Sequence, residues 1–108
     1  MQANEYQQRT SSTAVYKGAG LGGEDELTYL GLGLASEAGE VAGKIKKLLR
    51  DGRLDTDSLV GEIGDVCWYV ARLASALGVT LEDVLQMNYE KLQSRKERGT
   101  LQGNGDNR

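Results

Sequence analysis

Apolar residues return along most of this chain at intervals of three and four, the period of a helix, and seldom alternate in the way a half-buried strand requires. Leu27, Leu30, Leu34, Val41, Ile45 and Leu48 fall on one stripe at about 100° per residue, which predicts a helix from about Glu24 to Arg50. Glu24, Asp25 and Glu26 open it, Lys44, Lys46, Lys47 and Arg50 close it, and Asp51-Gly52 stops it, so its charges match the helix dipole. Leu59, Ile63, Val66, Val70, Leu73 and Leu77 make a second stripe, on a helix capped by Asp57 or Ser58 and ending at Leu77-Gly78. Another helix follows Thr80, with Asp83 three residues on, and runs to about Arg98 along Leu81, Val84, Leu85, Asn88 and Leu92. Asn88 interrupts that inner line.

The remaining segments are weaker. Residues 2 to about 14 predict a short first helix, with Asn4 as its cap and Tyr6 as its apolar anchor. Residues 17–23, Lys-Gly-Ala-Gly-Leu-Gly-Gly, read as a flexible connector, and not as a phosphate loop, because no Gly-Lys-Ser/Thr follows and no strand precedes. Residues 99–108 have no helical period and carry three glycines, the pattern of a disordered tail or of a loop that orders on a ligand. Asp106 and Arg108 there are candidates to close over a substrate. The expected architecture is all-α, a four-helix-type bundle in a single domain over residues 1–98 with a polar tail.

Composition then removes whole classes of function. A chain of 108 residues leaves roughly 40% of its unfolded surface exposed, so oligomerisation is expected. A net charge of -3, with no basic stripe, argues against a polynucleotide partner. No signal peptide and no apolar run of the 18 or so residues that span a membrane are visible, so the expected compartment is cytoplasmic. Cys67, the only cysteine, excludes an intrachain disulfide and reads as a small buried hydrophobe. The chain has no histidine, which rules out Ser-His-Asp and Cys-His nucleophiles, histidine-bearing zinc sites and Glu-x-x-His di-iron sites. Carboxylate chemistry remains.

The carboxylates are patterned. Glu37-Ala38-Gly39-Glu40-Val41 recurs in near copy as Glu62-Ile63-Gly64-Asp65-Val66, each inside an apolar stripe. On the helical wheel Glu37 lies about 50° and Glu40 about 110° from one stripe centre, Glu62 about 60° and Asp65 about 120° from the other. Two helices offset alike and packed antiparallel bring four acids toward one edge. Setting acids beside a core costs several kcal/mol per ion unless a partner compensates, and hard oxygen donors converging in this way suit Mg²⁺, with Mn²⁺ as substitute. Magnesium usually completes its shell with phosphate oxygens, which implies a phosphate ester or anhydride as substrate. Gly39 and Gly64 turn away from the stripes and are expected to admit another helix or a partner subunit.

Further residues have two readings each. Lys44 and Lys47 suit phosphate oxygens or the dipole at the helix end. Asn88, Lys91 and Arg95 put an amide, an ammonium and a guanidinium on one helix face, for a triphosphate or as solvated charge. Trp68 and Tyr69 suit a stacked base or core packing.

Glu37-x-x-Glu40, twenty-one residues, then Glu62-x-x-Asp65, together with Leu32-Gly33-Leu34-Ala35-Ser36 before it and Asn88-x-x-Lys91-x-x-x-Arg95 after it, resembles the signature of the MazG-like all-α nucleoside triphosphate pyrophosphohydrolases. The resemblance implies cleavage of a nucleoside triphosphate between its α- and β-phosphates, giving monophosphate and pyrophosphate, with Glu37, Glu40, Glu62 and Asp65 holding the metal. It also implies a dimer or a dimer of dimers. Glu37, nearest the core edge, is the candidate to take a proton from the attacking water. The alternative is a non-catalytic helical protein whose acids bind a structural cation or a cationic partner.

Overall fold

A computed structural model describes residues 1–108 and contains helices and turns only. The helices are α1 (Ala3–Arg9), α2 (Glu24–Asp51), α3 (Thr56–Ala76) and α4 (Leu81–Glu97), with a short 3₁₀ turn at Thr10–Thr13 continuing α1. Asp55 caps α3 by accepting from the Ser58 amide at 3.1 Å, and Thr80 caps α4 by accepting from the Asp83 amide at 3.0 Å. Gly52 ends α2 in the left-handed conformation, φ 74°, with its amide donating to the Leu48 carbonyl at 2.8 Å. A side chain at that φ is strained, so the glycine fixes where the chain reverses.

That reversal folds α2 and α3 into a long antiparallel hairpin, the dominant packing of the molecule. Gly33 faces Tyr69 across it so closely that a Cβ on Gly33 would sit 2.1 Å from the tyrosine ring. By contrast, nothing in the chain lies within 4 Å of a Cβ built at Gly39 or Gly64. The expectation that those two admit a neighbouring helix is therefore not met within the protomer; Gly33 fills that role.

The other two helices cross the far end of α3. Helix α4 touches α1 and α3 but not α2, so the four helices do not close around a common core within one chain. Helix α1 is anchored by a polar residue and not by Tyr6, which is only half-buried. Buried Gln7 donates from Nε2 to Ser75 Oγ at 3.0 Å and to the Val79 carbonyl at 2.9 Å, while its Oε1 accepts from the Leu81 amide at 2.7 Å. One amide thus joins the end of α3 to the start of α4. Asn4, expected to cap its own helix, accepts instead from the Glu82 amide at 2.9 Å.

Burial is sparse. Only 9 of 108 residues are buried, and among apolar ones only Leu30, Ala71, Ala74 and Leu81. The stripes read from the sequence are present, but Ile45, Leu48, Ile63, Leu77, Leu85 and Leu92 along them are exposed. Cys67 is exposed too, against the expectation of a buried thiol: it lines an open apolar hollow between α3, α1 and α4 with Tyr6, Val70, Leu81 and Leu85. The radius of gyration, 16.4 Å, exceeds the roughly 13 Å of a compact chain this long. No helix is long and apolar enough to cross a membrane.

Candidate active site

The acid motif sits midway along the hairpin. Glu37 from α2 and Glu62 and Asp65 from α3 each offer a carboxylate oxygen, and these oxygens lie within 4.8 Å of one another. Antiparallel packing with the Gly33–Tyr69 contact one turn away sets that register, because it places position 37 opposite position 65. Glu37 and Glu62 are half-buried and Asp65 is exposed. Glu40 stands outside this trio, one turn along α2 and exposed.

No lysine or arginine forms an ion pair with any of these four acids. The electrostatic result is visible at Glu37, whose pKa is raised, first by burial and then by the like charges of Asp65, Glu62 and Glu40. Three hard oxygen donors from two rigid helices, with their charge uncompensated by the chain, form a donor set that fits a divalent cation such as Mg²⁺ or Mn²⁺.

Beside the acids lies an open cavity of about 370 Å³ lined by Thr13, Glu37, Asp65, Trp68 and Tyr69. Its aromatic wall, Trp68 and Tyr69, is one side of a larger aromatic cluster. Trp68 and Tyr69 meet edge to face with centroids 5.0 Å apart, Tyr16 meets Trp68 in the same way at 6.1 Å, and Tyr16 stacks on Tyr29 at 4.7 Å. Thr13 Oγ1 accepts the indole N–H of Trp68 at 2.8 Å, which fixes the ring's orientation.

Tyr16 is held from behind by a second carboxylate. Glu26, 1% exposed, accepts from the Tyr16 hydroxyl at 2.5 Å, the Gly20 amide at 2.7 Å and the Gly22 amide at 2.8 Å, with the Arg72 guanidinium 3.8 Å away. Burial alone would raise its pKa, but these donors and the arginine together outweigh it and the pKa is lowered. The glycine-rich connector is thereby wrapped around a buried anion, a correction to its reading as a flexible link. Thr13, Tyr16, Glu26, Tyr29 and Arg72 were not singled out from the sequence as site residues. One signal was available: Arg72 is a lone charge within the apolar run Trp68 to Ala76, and a buried arginine demands a buried acid.

The remaining candidates lie elsewhere on the protomer. Lys44 and Lys47 line a hollow near the turn of the hairpin with Asp51, Arg53, Leu54 and Asp55. Asn88 and Lys91 line another with Val84, Met87 and Asp106. Arg95 is buried. Neither hollow shares a lining residue with the acid cavity, so within one chain Trp68 stands beside the acids while Lys44, Lys47, Asn88 and Lys91 line separate surfaces.

Comparison with known proteins settles the family. The model of the MazG nucleotide pyrophosphohydrolase domain matches residues 26–100, which includes both acid pairs and α4. The chain belongs to the MazG family. A MazG-type assignment agrees with the all-helical structure and with the motif order in the sequence. The Gene 37 protein of Mycobacterium phage L5 is 50% identical over 114 aligned residues that cover the whole of both chains. No solved structure matches.

Proposed function

We propose that this MazG-family chain is a Mg²⁺-dependent nucleoside triphosphate pyrophosphohydrolase that cleaves between the α- and β-phosphates to give a nucleoside monophosphate and pyrophosphate. The observation that carries the reading is the convergence of Glu37, Glu62 and Asp65 from two helices with no cation of the chain to neutralise them. Glu40, one turn from Glu37 along α2 and outside that trio, is the fourth acid of this reading. A cation bound there supplies charge neutralisation and Lewis-acid polarisation of phosphoryl oxygens.

The chain's own residues supply the rest. Trp68 and Tyr69 border the acids and offer faces on which a nucleobase can stack, in a cavity large enough for a ring but with no hydrogen-bonding pattern that dictates one base. Glu37, half-buried at the edge of the core, is the candidate to accept a proton as hydrolysis proceeds. Lys44, Lys47, Asn88, Lys91 and Arg95 are the donors available for phosphate oxygens.

That Lys44, Lys47, Asn88 and Lys91 line surfaces separate from the acid cavity favours a site completed by assembly. The molecule exposes 7684 Å² of surface, where a compact monomer of 11.7 kDa exposes about 5,900 Å². The excess is of the size that a stable interface removes, and the exposed apolar stripes of the hairpin and α4 are where it lies. We therefore place the working unit as a homodimer or a dimer of dimers with its sites at or near subunit contacts.

The test is a panel of standard and modified ribo- and deoxyribonucleoside triphosphates with Mg²⁺, assayed for monophosphate and pyrophosphate. Turnover of at least one member, reduced in Glu40→Gln, is expected. No turnover of any would leave a non-catalytic metal-binding protein, and undiminished turnover in that variant would overturn the assignment of the acids as the site.

A further inference from the structure

The C-terminal tail is not loose. The Arg108 guanidinium donates to the carbonyls of Thr100 at 3.0 Å, Leu101 at 2.9 Å and Gly105 at 2.6 Å, and Arg98 donates to the Arg108 carbonyl at 2.8 Å. The tail so rolled is pressed onto α4 by one acid. Asp106 accepts from Lys91 Nζ at 2.8 Å and from Arg95 Nη2 at 3.2 Å, and its backbone carbonyl accepts from Arg95 as well. These two cations hold the carboxyl of Asp106 below its ordinary pKa, Lys91 first.

Three features mark this contact as an occupied anion subsite. Arg95 is 5% exposed yet its Nε–H has no partner, so a buried donor is left over after Asp106 is satisfied. Asp106 is itself 76% exposed and sits at the rim of a hollow of about 430 Å³ that also presents Asn88. The tail adds no buried apolar side chain, since Leu101 is 46% exposed, so only polar contacts resist its release. A carboxylate brings one negative charge to this pair of cations. A polyphosphate brings several, and more acceptor oxygens.

We propose that residues 99–108 form a strap in which Asp106 occupies a polyphosphate subsite built from Lys91 and Arg95 with Asn88 beside them, so that the phosphate chain must displace the strap to bind. This rests on the reading of the substrate as a nucleoside triphosphate. It reverses the expectation that Asp106 closes over substrate: the acid stands where phosphate goes.

The experiment measures tripolyphosphate and pyrophosphate binding calorimetrically to the full chain, to Asp106→Asn and to a chain ending at Gly99, without metal or nucleotide. Both variants are expected to bind tripolyphosphate about fivefold more tightly than the parent, the scale of a lost solvent-exposed ion-pair competitor. Adding Lys91→Gln to Asp106→Asn is expected to abolish the gain. Tripolyphosphate gaining more than pyrophosphate assigns the subsite to substrate, and equal gains assign it to either phosphate chain. Unchanged affinity in both variants, or a gain that survives Lys91→Gln, would overturn the strap. Because no turnover is read, a chain inactive on every triphosphate can still show the gain, and an active one can lack it.

Discussion

Helix α2 carries two carboxylate sites three turns apart that differ in one respect. Glu26 is removed from water and answered by the chain itself: a tyrosine hydroxyl, two glycine amides and an arginine. Glu37 is half-buried beside two more acids, and the chain answers with nothing. A satisfied buried anion is a structural element, whereas an unsatisfied cluster raises the free energy of the folded state until something else binds. On the function proposed above, the difference separates acids that hold the fold from acids kept for a ligand.

Removing the acid should therefore have opposite consequences at the two places. Glu62→Gln is expected to lower turnover by about 10³-fold, on the scale of losing a directed electrostatic contact at a reacting phosphate, while the melting temperature stays level or rises as repulsion is relieved. Paired kinetic and thermal measurements would read both. Glu26→Ala leaves Arg72 buried and unanswered and should cost about 3 kcal/mol in urea unfolding. A pH series sharpens this. Glu26 has a folded-state pKa below its ordinary 4.5, so its contribution is present above that pH and is lost as pH falls through the lower folded value. Glu26→Gln should flatten that part of the stability profile.

Smaller effects test what positions the acids. Gly33→Ala places a methyl 2.1 Å from the Tyr69 ring and should cost about 2 kcal/mol, with activity falling further than stability because the register of Glu37 against Asp65 shifts. Thr13→Val removes the acceptor of the Trp68 indole and should cost about 1 kcal/mol, visible as a change in tryptophan fluorescence.

How much of this could be read beforehand follows from which forces act locally. The three long helices were legible because stripe, caps and the Gly52 stop are local signals, and their ends fall within two residues of expectation, although the cap of α3 is Asp55 and not Asp57 or Ser58. The approach of Glu37 to Glu62 and Asp65 across the hairpin was legible because two similar offsets leave antiparallel packing few alternatives, whereas Glu40, expected with them, stands outside the trio. The Glu26 network was not, because its ligands are backbone amides of a loop whose path no periodicity encodes. Nor was the exposure of Cys67 and of the α4 stripe, since a stripe tells which face seeks cover and not whether the same chain supplies it. Asp106 lay in a segment without period, and its pairing depends on a turn set by Gly103 and Gly105 at positive φ.

The contrast between answered and unanswered acids is tested most directly by Mn²⁺ binding, followed by electron paramagnetic resonance in the parent chain and in Glu62→Gln at matched protein concentration. One strong Mn²⁺ site per protomer, competed by Mg²⁺ and lost in the variant, is the expected result. A Mn²⁺ site that persists unchanged in Glu62→Gln, or none in the parent, would contradict the claim that these carboxylates are kept unpaired for a divalent cation.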